Sequence, residues 1–118
     1  NQLSLIRLAA PTTHDDRLKT VVKDTSGFVY YVSTTGVTGA GSGETGDIAA
    51  AVDRVRKASG LPVAVGFGVK TPERAAEIAR TADAVVVGSA IVEALARDGT
   101  GAALKLARDL ADAAHAAR

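Results

Sequence analysis

Two apolar segments in the second half of the sequence end at glycines, in an arrangement that could hold a phosphate group. Residues 62–68 read PVAVGFG and residues 84–90 read AVVVGSA, so each is a continuous apolar run typical of a strand buried on both faces. A glycine at the end of such a strand lets a backbone N–H approach a ligand without a Cβ in the way. We therefore predict a phosphate site at Gly68 and Gly88, with Ser89 supplying a hydroxyl.

A glycine at a strand end is also a common turn former, and either junction alone is equally consistent with a structural role. The occurrence of both junctions on consecutive strands favours the phosphate interpretation. In (β/α)8 barrels, the loops after the last two strands and the N-terminus of a short extra helix form the usual phosphate site. Residues 89–95 could be that helix.

A glycine-rich segment, residues 34–46, follows the second predicted strand and contains five glycines. Long loops in compact domains are usually functional, and this one would lie at the C-terminal end of a strand, over the catalytic face of a barrel. We predict a lid in which residues 36–39 close on a ligand, with a simple linker as the alternative. Glu44 is the one carboxylate in this segment.

The predicted strand ends carry no Asp, Glu, Lys or His, although barrel enzymes normally place their acids and bases there. Tyr30 and Tyr31 are adjacent on a strand, so their side chains point to opposite faces, and a tyrosine that fills core space is the plainer interpretation. His14 and His115 lack metal-ligand spacing to any other residue, so no metal site is predicted. The sequence thus supplies a ligand site without groups for proton transfer.

Strands and helices alternate along the chain and would position these residues. Strands are predicted at residues 3–8, 27–33, 61–66 and 84–87. Four helices are predicted besides the short one at residues 89–95. The first opens at Thr13, and the second has an apolar stripe over residues 48–55 and ends at Gly60. The third runs from the Thr71-Pro72-Glu73 start signal to about Arg80, and the last forms the tail from Gly101 onward.

Four such β/α units predict an α/β fold with parallel strands, because a helix returns the chain to the same edge of the sheet. A complete (β/α)8 barrel needs about 250 residues, so the 118 residues, taken as a single domain, correspond to half of one. An open four-stranded sheet with helices on both faces is the rival architecture. The absence of Met at the first position predicts that the sequence is a fragment.

Composition narrows the function. A balance of 14 Lys and Arg against 13 Asp and Glu, without a basic block, predicts no nucleic-acid partner. No apolar run approaches the roughly 18–20 residues of a membrane span, so no membrane partner is expected. The chain has no cysteine, which excludes disulfides and thiolate metal sites and suits a reducing cytoplasm, the predicted location.

The chain contains three motifs at residues 30–39, 62–69 and 87–92. In order and spacing they resemble the sixth, seventh and eighth strand-loop motifs of the tryptophan synthase α subunit family. The similarity extends over essentially the whole chain, including the turn at residues 10–12, but covers only the C-terminal half of that family's barrel. The fold that it implies is strands 5–8 of a TIM barrel with their helices.

The resemblance implies a carbon–carbon lyase of tryptophan biosynthesis. Such proteins cleave indole-3-glycerol phosphate to indole and glyceraldehyde 3-phosphate, and pass indole to a β subunit in an α2β2 complex. Pyridoxal phosphate belongs to that β subunit, and no cofactor or metal is expected in the α subunit. The further partner implied is the missing N-terminal half-barrel, without which this chain is expected to be inactive.

The resemblance also assigns roles to residues. Gly39, Gly68, Gly88 and Ser89 would bind the substrate phosphate, and Phe67 would line the indole pocket. Tyr30 matches a tyrosine beside the catalytic carboxylate, and Thr38 matches a lid threonine that contacts a catalytic aspartate. Both are supporting residues, because the family's main acid and base lie in the first half of the barrel. Thr34 departs from members that have arginine there.

Two alternatives remain. The chain could belong to another phosphate-binding barrel, such as phosphoribosyl-anthranilate isomerase or indole-glycerol-phosphate synthase, for which Tyr30 with a lid at residues 36–39 is the wrong signature. It could also be a non-catalytic half-barrel that self-associates through its bare inner face.

Overall fold

A computed structural model describes residues 3–10, 13–32, 43–66 and 68–117, with the side chains of residues 43–47 excepted. The described chain alternates strands with helices, as the sequence predicts. Its elements are β1 (Arg7–Ala9), α1 (Asp15–Val22), β2 (Val29–Val32), α2 (Gly43–Ser59), β3 (Val63–Gly66), α3 (Pro72–Ala79), β4 (Ala84–Val86), α4 (Ser89–Asp98) and α5 (Thr100–Ala116).

The strands form one parallel sheet in the order β1-β2-β3-β4. On one face of the sheet, a single register row consists of Ala9, Tyr31, Val65 and Val85. These side chains lie in or against one apolar core that also contains residues of α1, α2, α3 and α5. The described helices that pack on the sheet therefore cover one face of it. A sequential strand order with helices on one face is the pattern of a barrel, which confirms the half-barrel and rejects the rival open sheet with helices on both faces.

Valine and leucine side chains fill the core between the sheet and the helices. Val29, Val63 and Val65 from the sheet have no exposed surface, and they meet Val52 and Val55 of α2 in the same cluster. Each fully buried side chain of this size contributes about 1.5–3 kcal/mol relative to an exposed one. The helix-covered face of the sheet therefore holds the half-barrel together.

The opposite face of the sheet carries the register row Leu8, Tyr30, Ala64 and Ala84. Leu8 is 60% exposed, and Ala84 is also exposed. In a complete barrel this face would be the interior, where apolar side chains are packed. The half-barrel thus presents apolar surface that a closed barrel would bury.

Several element boundaries differ from the prediction. Strand β1 was expected at residues 3–8, but residues 3–6 lie exposed outside the ladder. The chain that would pair with them bends at Gly27, which has a φ of +84°, and the N–H of Phe28 donates to the Ser26 carbonyl. Leu5 still bonds Ser26, since its N–H donates to the Ser26 hydroxyl and its carbonyl accepts from the Ser26 N–H. The regular ladder begins at Arg7.

Helix starts also shift. Helix α2 begins at Gly43, inside the segment predicted to be loop through Gly46, because backbone hydrogen bonding can continue through glycines that favour a loop when taken alone. Helix α1 begins at Asp15 rather than Thr13, whose hydroxyl instead accepts a hydrogen bond from the Ala10 N–H at 3.1 Å. Helix α5 begins at Thr100, one residue before the predicted Gly101.

The start signal of α3 is confirmed. Thr71 is the N-cap, its hydroxyl accepts from the Arg74 N–H at 3.2 Å, and Pro72 occupies the first helical position. Such a cap contributes about 1 kcal/mol to helix stability. It fixes where the chain turns from the β3 loop into the helix.

At the N-terminal edge of the sheet, Asp83 joins three elements. One of its carboxylate oxygens accepts from the Val63 N–H at 2.8 Å and from the Arg56 guanidinium at 3.0 Å. The same guanidinium donates to the Thr81 carbonyl at 3.3 Å. Asp83 therefore fastens the start of β3 to helix α2 and to the turn before β4.

We expect Asp83→Ala to lower the free energy of unfolding by about 1–3 kcal/mol, because the buried Val63 N–H loses its acceptor and Arg56 loses one of its two carboxylate partners, keeping Asp53. The matched control is Asp109→Ala, which breaks an exposed i,i+4 pair with Lys105 and should change stability by less than about 0.5 kcal/mol. Urea unfolding followed by circular dichroism measures both. Equal effects of the two substitutions would contradict the role given to Asp83.

Candidate functional site

A cavity of about 150 Å³ opens at the C-terminal edge of the sheet, between the ends of β3 and β4. It is lined by Tyr30, Gly68, Val69, Lys70, Val86, Gly88, Ser89 and Ala90. The structure thus brings together both glycine junctions, the serine and one tyrosine that the sequence singled out. Pockets that enclose a whole ligand usually measure roughly 300–1,000 Å³, so this cavity has the size for one group of a ligand rather than all of it.

Gly68 turns the chain out of β3 with a φ of +74°, a conformation in which other residues are strained. The next residue, Val69, is 4% exposed and belongs to the apolar core. The turn therefore leaves Gly68 on the cavity wall while the following side chain anchors the loop. Glycine is therefore required at position 68 by the backbone conformation. The sequence alone could not distinguish this structural requirement from a role in ligand binding.

Gly88 and Ser89 form the N-terminus of α4, and Gly88 is the N-cap. The Gly88 carbonyl accepts from the N–H groups of Ile91 and Val92, but no side chain caps the helix. The first N–H groups of a helix carry partial positive charge and favour an anion. A Cβ added to Gly88 would meet no atom within 4 Å, so the space beside it is open.

Tyr30 and Tyr31 point to opposite faces, as predicted. Tyr31 is 4% exposed and packs in the helix-covered core, whereas Tyr30 lines the cavity. The Tyr30 ring crosses Gly66, where an added Cβ would collide with the tyrosine hydroxyl and lie 3.0 Å from both the ring and the Val86 Cβ. Gly66 is therefore glycine because Tyr30 occupies its side-chain space, a role that the sequence did not reveal.

Three predicted site residues, Thr38, Gly39 and Phe67, lie outside the described residues, as do Thr34 and the proposed closing segment of the lid. Their roles stay predictions. The side chain of Glu44 is likewise outside the part of the chain that is described.

Lys70 is the residue that sequence reasoning missed. It lies four residues beyond the end of β3, too far along the chain to count as a strand-end residue, yet the loop brings it to the cavity wall. The available signal was its position two residues after the glycine of a predicted phosphate junction.

A larger cavity of about 380 Å³ lies against β4, α3 and α5 and is lined mainly by alanine and other apolar residues. Its titratable side chains are Asp83, which already binds Arg56 and the Val63 N–H, and His115. Its described lining includes neither Gly68 nor Gly88, so the smaller cavity is the better candidate site.

Within the described ranges, no group of three or more His, Cys, Asp and Glu side chains could hold a metal ion. The helices of that same part of the chain include none that is both long and apolar enough to cross a membrane.

The sequential parallel sheet with helices on one face defines half of a (β/α)8 barrel. The glycine-lined cavity beside a helix N-terminus, at the C-terminal edge of this sheet, is its candidate anion site. Comparison with known proteins specifies the family. The model of the tryptophan synthase alpha chain family matches residues 1–117. The chain belongs to the tryptophan synthase alpha chain family.

Relatives agree with that assignment. The tryptophan synthase alpha chain of Phenylobacterium zucineum is 59% identical over 122 residues, which cover 98% of this chain and 44% of that protein. The corresponding protein of Caulobacter vibrioides is 66% identical over 91 residues, covering 77% of this chain and 33% of its own length. The chain thus spans less than half the length of these relatives.

Solved structures show the same partial match. Tryptophan synthase of Mycobacterium tuberculosis superimposes with a TM-score of 0.82 at 42% identity, covering 96% of this chain and 42% of that one. The tryptophan synthase subunit alpha of Campylobacter jejuni gives a TM-score of 0.80 at 30% identity, covering 92% of this chain and 44% of that one.

We expect Gly66→Ala to lower the free energy of unfolding by about 1–3 kcal/mol, because the new methyl group must displace the Tyr30 ring. Gly101→Ala is the matched control, since its Cβ would meet no atom within 4 Å and alanine is the better helix former. The control should be neutral or stabilising by up to about 1 kcal/mol. Thermal unfolding compares the two, and equal tolerance of both would contradict the packing given to Tyr30.

Proposed function

We propose that this chain is the phosphate-binding half of a tryptophan synthase α subunit that cleaves indole-3-glycerol phosphate to indole and glyceraldehyde 3-phosphate, a step of tryptophan biosynthesis. The single observation that carries the proposal is the convergence of Gly68, Gly88 and Ser89 on one cavity, in a chain that belongs to this family. The phosphate would accept hydrogen bonds from the backbone N–H groups at the start of α4 and from the Ser89 hydroxyl.

The cavity is too small for the whole substrate, and it lies beside the inner face on which Tyr30 stands. A phosphate seated there would hold the rest of the substrate over that inner face. The indole ring would extend toward Phe67, and the lid with Thr38 and Gly39 would cover the site. Binding energy at the phosphate would in this way position the bond that breaks.

Cleavage of the carbon–carbon bond requires a proton for the indole ring carbon and removal of a proton from the glycerol hydroxyl. The described residues that line the cavity include no carboxylate. We assign both proton transfers to carboxyl groups of the other half of the barrel, with Tyr30 and Thr38 in supporting positions. This assignment fits a half that binds substrate without performing the chemistry.

The proposal includes the partners. Strands β1 and β4 each have one neighbour in the described sheet, and an N-terminal half-barrel would pair with both outer edges and cover Leu8 and Ala84. The complete α subunit would then bind a β subunit that holds pyridoxal phosphate, in an α2β2 complex, and would itself use no cofactor. A chain without cysteine suits a reducing compartment, so we place the enzyme in the cytoplasm.

The exposed apolar inner face supports one second candidate, a non-catalytic half-barrel that self-associates. The two candidates differ in what covers that face. The mass of the chain in solution, alone and with the N-terminal half, separates them.

We expect the 118-residue chain alone to release no indole from indole-3-glycerol phosphate, because phosphate binding without an acid and a base stabilises the substrate about as well as the transition state. Addition of the N-terminal part of the Phenylobacterium zucineum relative, in trans or fused, should restore indole release. The N-terminal part alone is the control. Turnover by the isolated chain would show that it contains a catalytic group, and Glu44 would be the first residue to replace.

In the completed subunit, Ser89→Glu should weaken substrate binding at least tenfold, about 1.4 kcal/mol, because a carboxylate replaces the hydroxyl that faces the phosphate. The control is Glu93→Gln on the same helix, which lies outside the cavity lining and should bind substrate normally. Inhibition of indole release by glycerol 3-phosphate measures binding. Unchanged affinity in Ser89→Glu would remove the phosphate from this site.

A further inference from the structure

Among the described residues, Lys70 is the only charged one that lines the smaller cavity. It is solvent-exposed, and no carboxylate within the described part of the chain forms an ion pair with it. The lining otherwise consists of glycine, alanine, valine, tyrosine and serine. A full positive charge therefore stands at a site whose other attraction for an anion comes from backbone dipoles and a hydroxyl.

The backbone on both sides of Lys70 is fixed. Val69 is anchored in the apolar core at 4% exposure, and Gly68 makes the turn from β3. On the other side, the Thr71 hydroxyl caps α3. Lysine is a flexible side chain in general, but here its Cα is held between a buried residue and a helix cap, which keeps Lys70 at the cavity wall.

Backbone N–H groups at a helix N-terminus supply roughly half a positive charge, which is enough to favour an anion but does not match the charge of a phosphate monoester. A phosphate monoester carries close to two negative charges above its second pKa near 6. A nearby ammonium would favour the doubly charged form over singly charged or neutral groups. Because Lys70 is exposed, its contribution should be moderate and screened by salt.

We propose that Lys70 is the residue that makes this cavity specific for doubly charged phosphate esters, a role that rests on the proposed function and names the charge state that the site selects. Lys70 acts on binding and takes no part in proton transfer. Its loss should raise KM and leave kcat close to that of the unmodified enzyme, since the phosphate contact is the same in the ground state and the transition state.

The test uses the completed α subunit and two probes that differ only in the phosphate, indolepropanol phosphate and indolepropanol. Lys70→Gln should weaken binding of the phosphate ester about three- to tenfold and leave indolepropanol binding unchanged. The unmodified subunit should lose affinity for the ester between 20 and 300 mM salt, because salt screens the exposed charge pair, and Lys70→Gln should lose less. Lys70→Arg should restore most of the affinity. The matched control is Lys57→Gln, in the last turn of α2 and outside the cavity lining.

Three outcomes separate the proposals. If Lys70→Gln leaves ester binding and its salt dependence unchanged while Ser89→Glu weakens binding, the role of Lys70 is wrong and the proposed function stands. If Lys70→Gln weakens both probes equally, the substitution perturbs the loop, and charge selection by Lys70 is again wrong. If the unmodified subunit binds indolepropanol as well as its phosphate ester, the phosphate site and the proposed function both fail.

Discussion

Every helical crossover in this chain must return the backbone to the same edge of the sheet, because consecutive strands pair in parallel. All four strand ends therefore open on one edge, and residues far apart in sequence meet there. The cavity between β3 and β4 exists because the loop that begins at Gly68 and the helix that begins after Gly88 leave adjacent strands at the same level. The candidate site depends on this constraint before any particular side chain is considered.

The two edges of the sheet differ in how their polar groups are paired. At the N-terminal edge, Asp83 satisfies the Val63 N–H and an arginine at once, and the polar groups there are paired. At the C-terminal edge, α4 begins without a side-chain cap, and Lys70 pairs with no carboxylate among the described residues. These uncapped N–H groups and this cation are the features on which the proposed anion site rests, at the edge where barrel enzymes generally place their active sites.

The two faces of the sheet differ in what covers them. Tyr30 is held over Gly66 and Leu8 stands exposed on a face that a closed barrel would bury. Helices on the other face supply a core that does not depend on the inner face. In the function proposed above, the half-barrel supplies the cavity for the phosphate, and the groups for proton transfer approach from the open face.

The sequence by itself determined the order of elements, the parallel class, the cap at Thr71 and the two glycine junctions, because these depend on local periodicity and on residues a few positions apart. Its motifs were also sufficient for the family, which the comparisons confirmed. Only the tertiary structure decided which face the helices cover, that Gly66 makes room for Tyr30, and that Lys70 reaches the cavity. Those facts depend on contacts between separate strands and loops, for which a local pattern carries no signal.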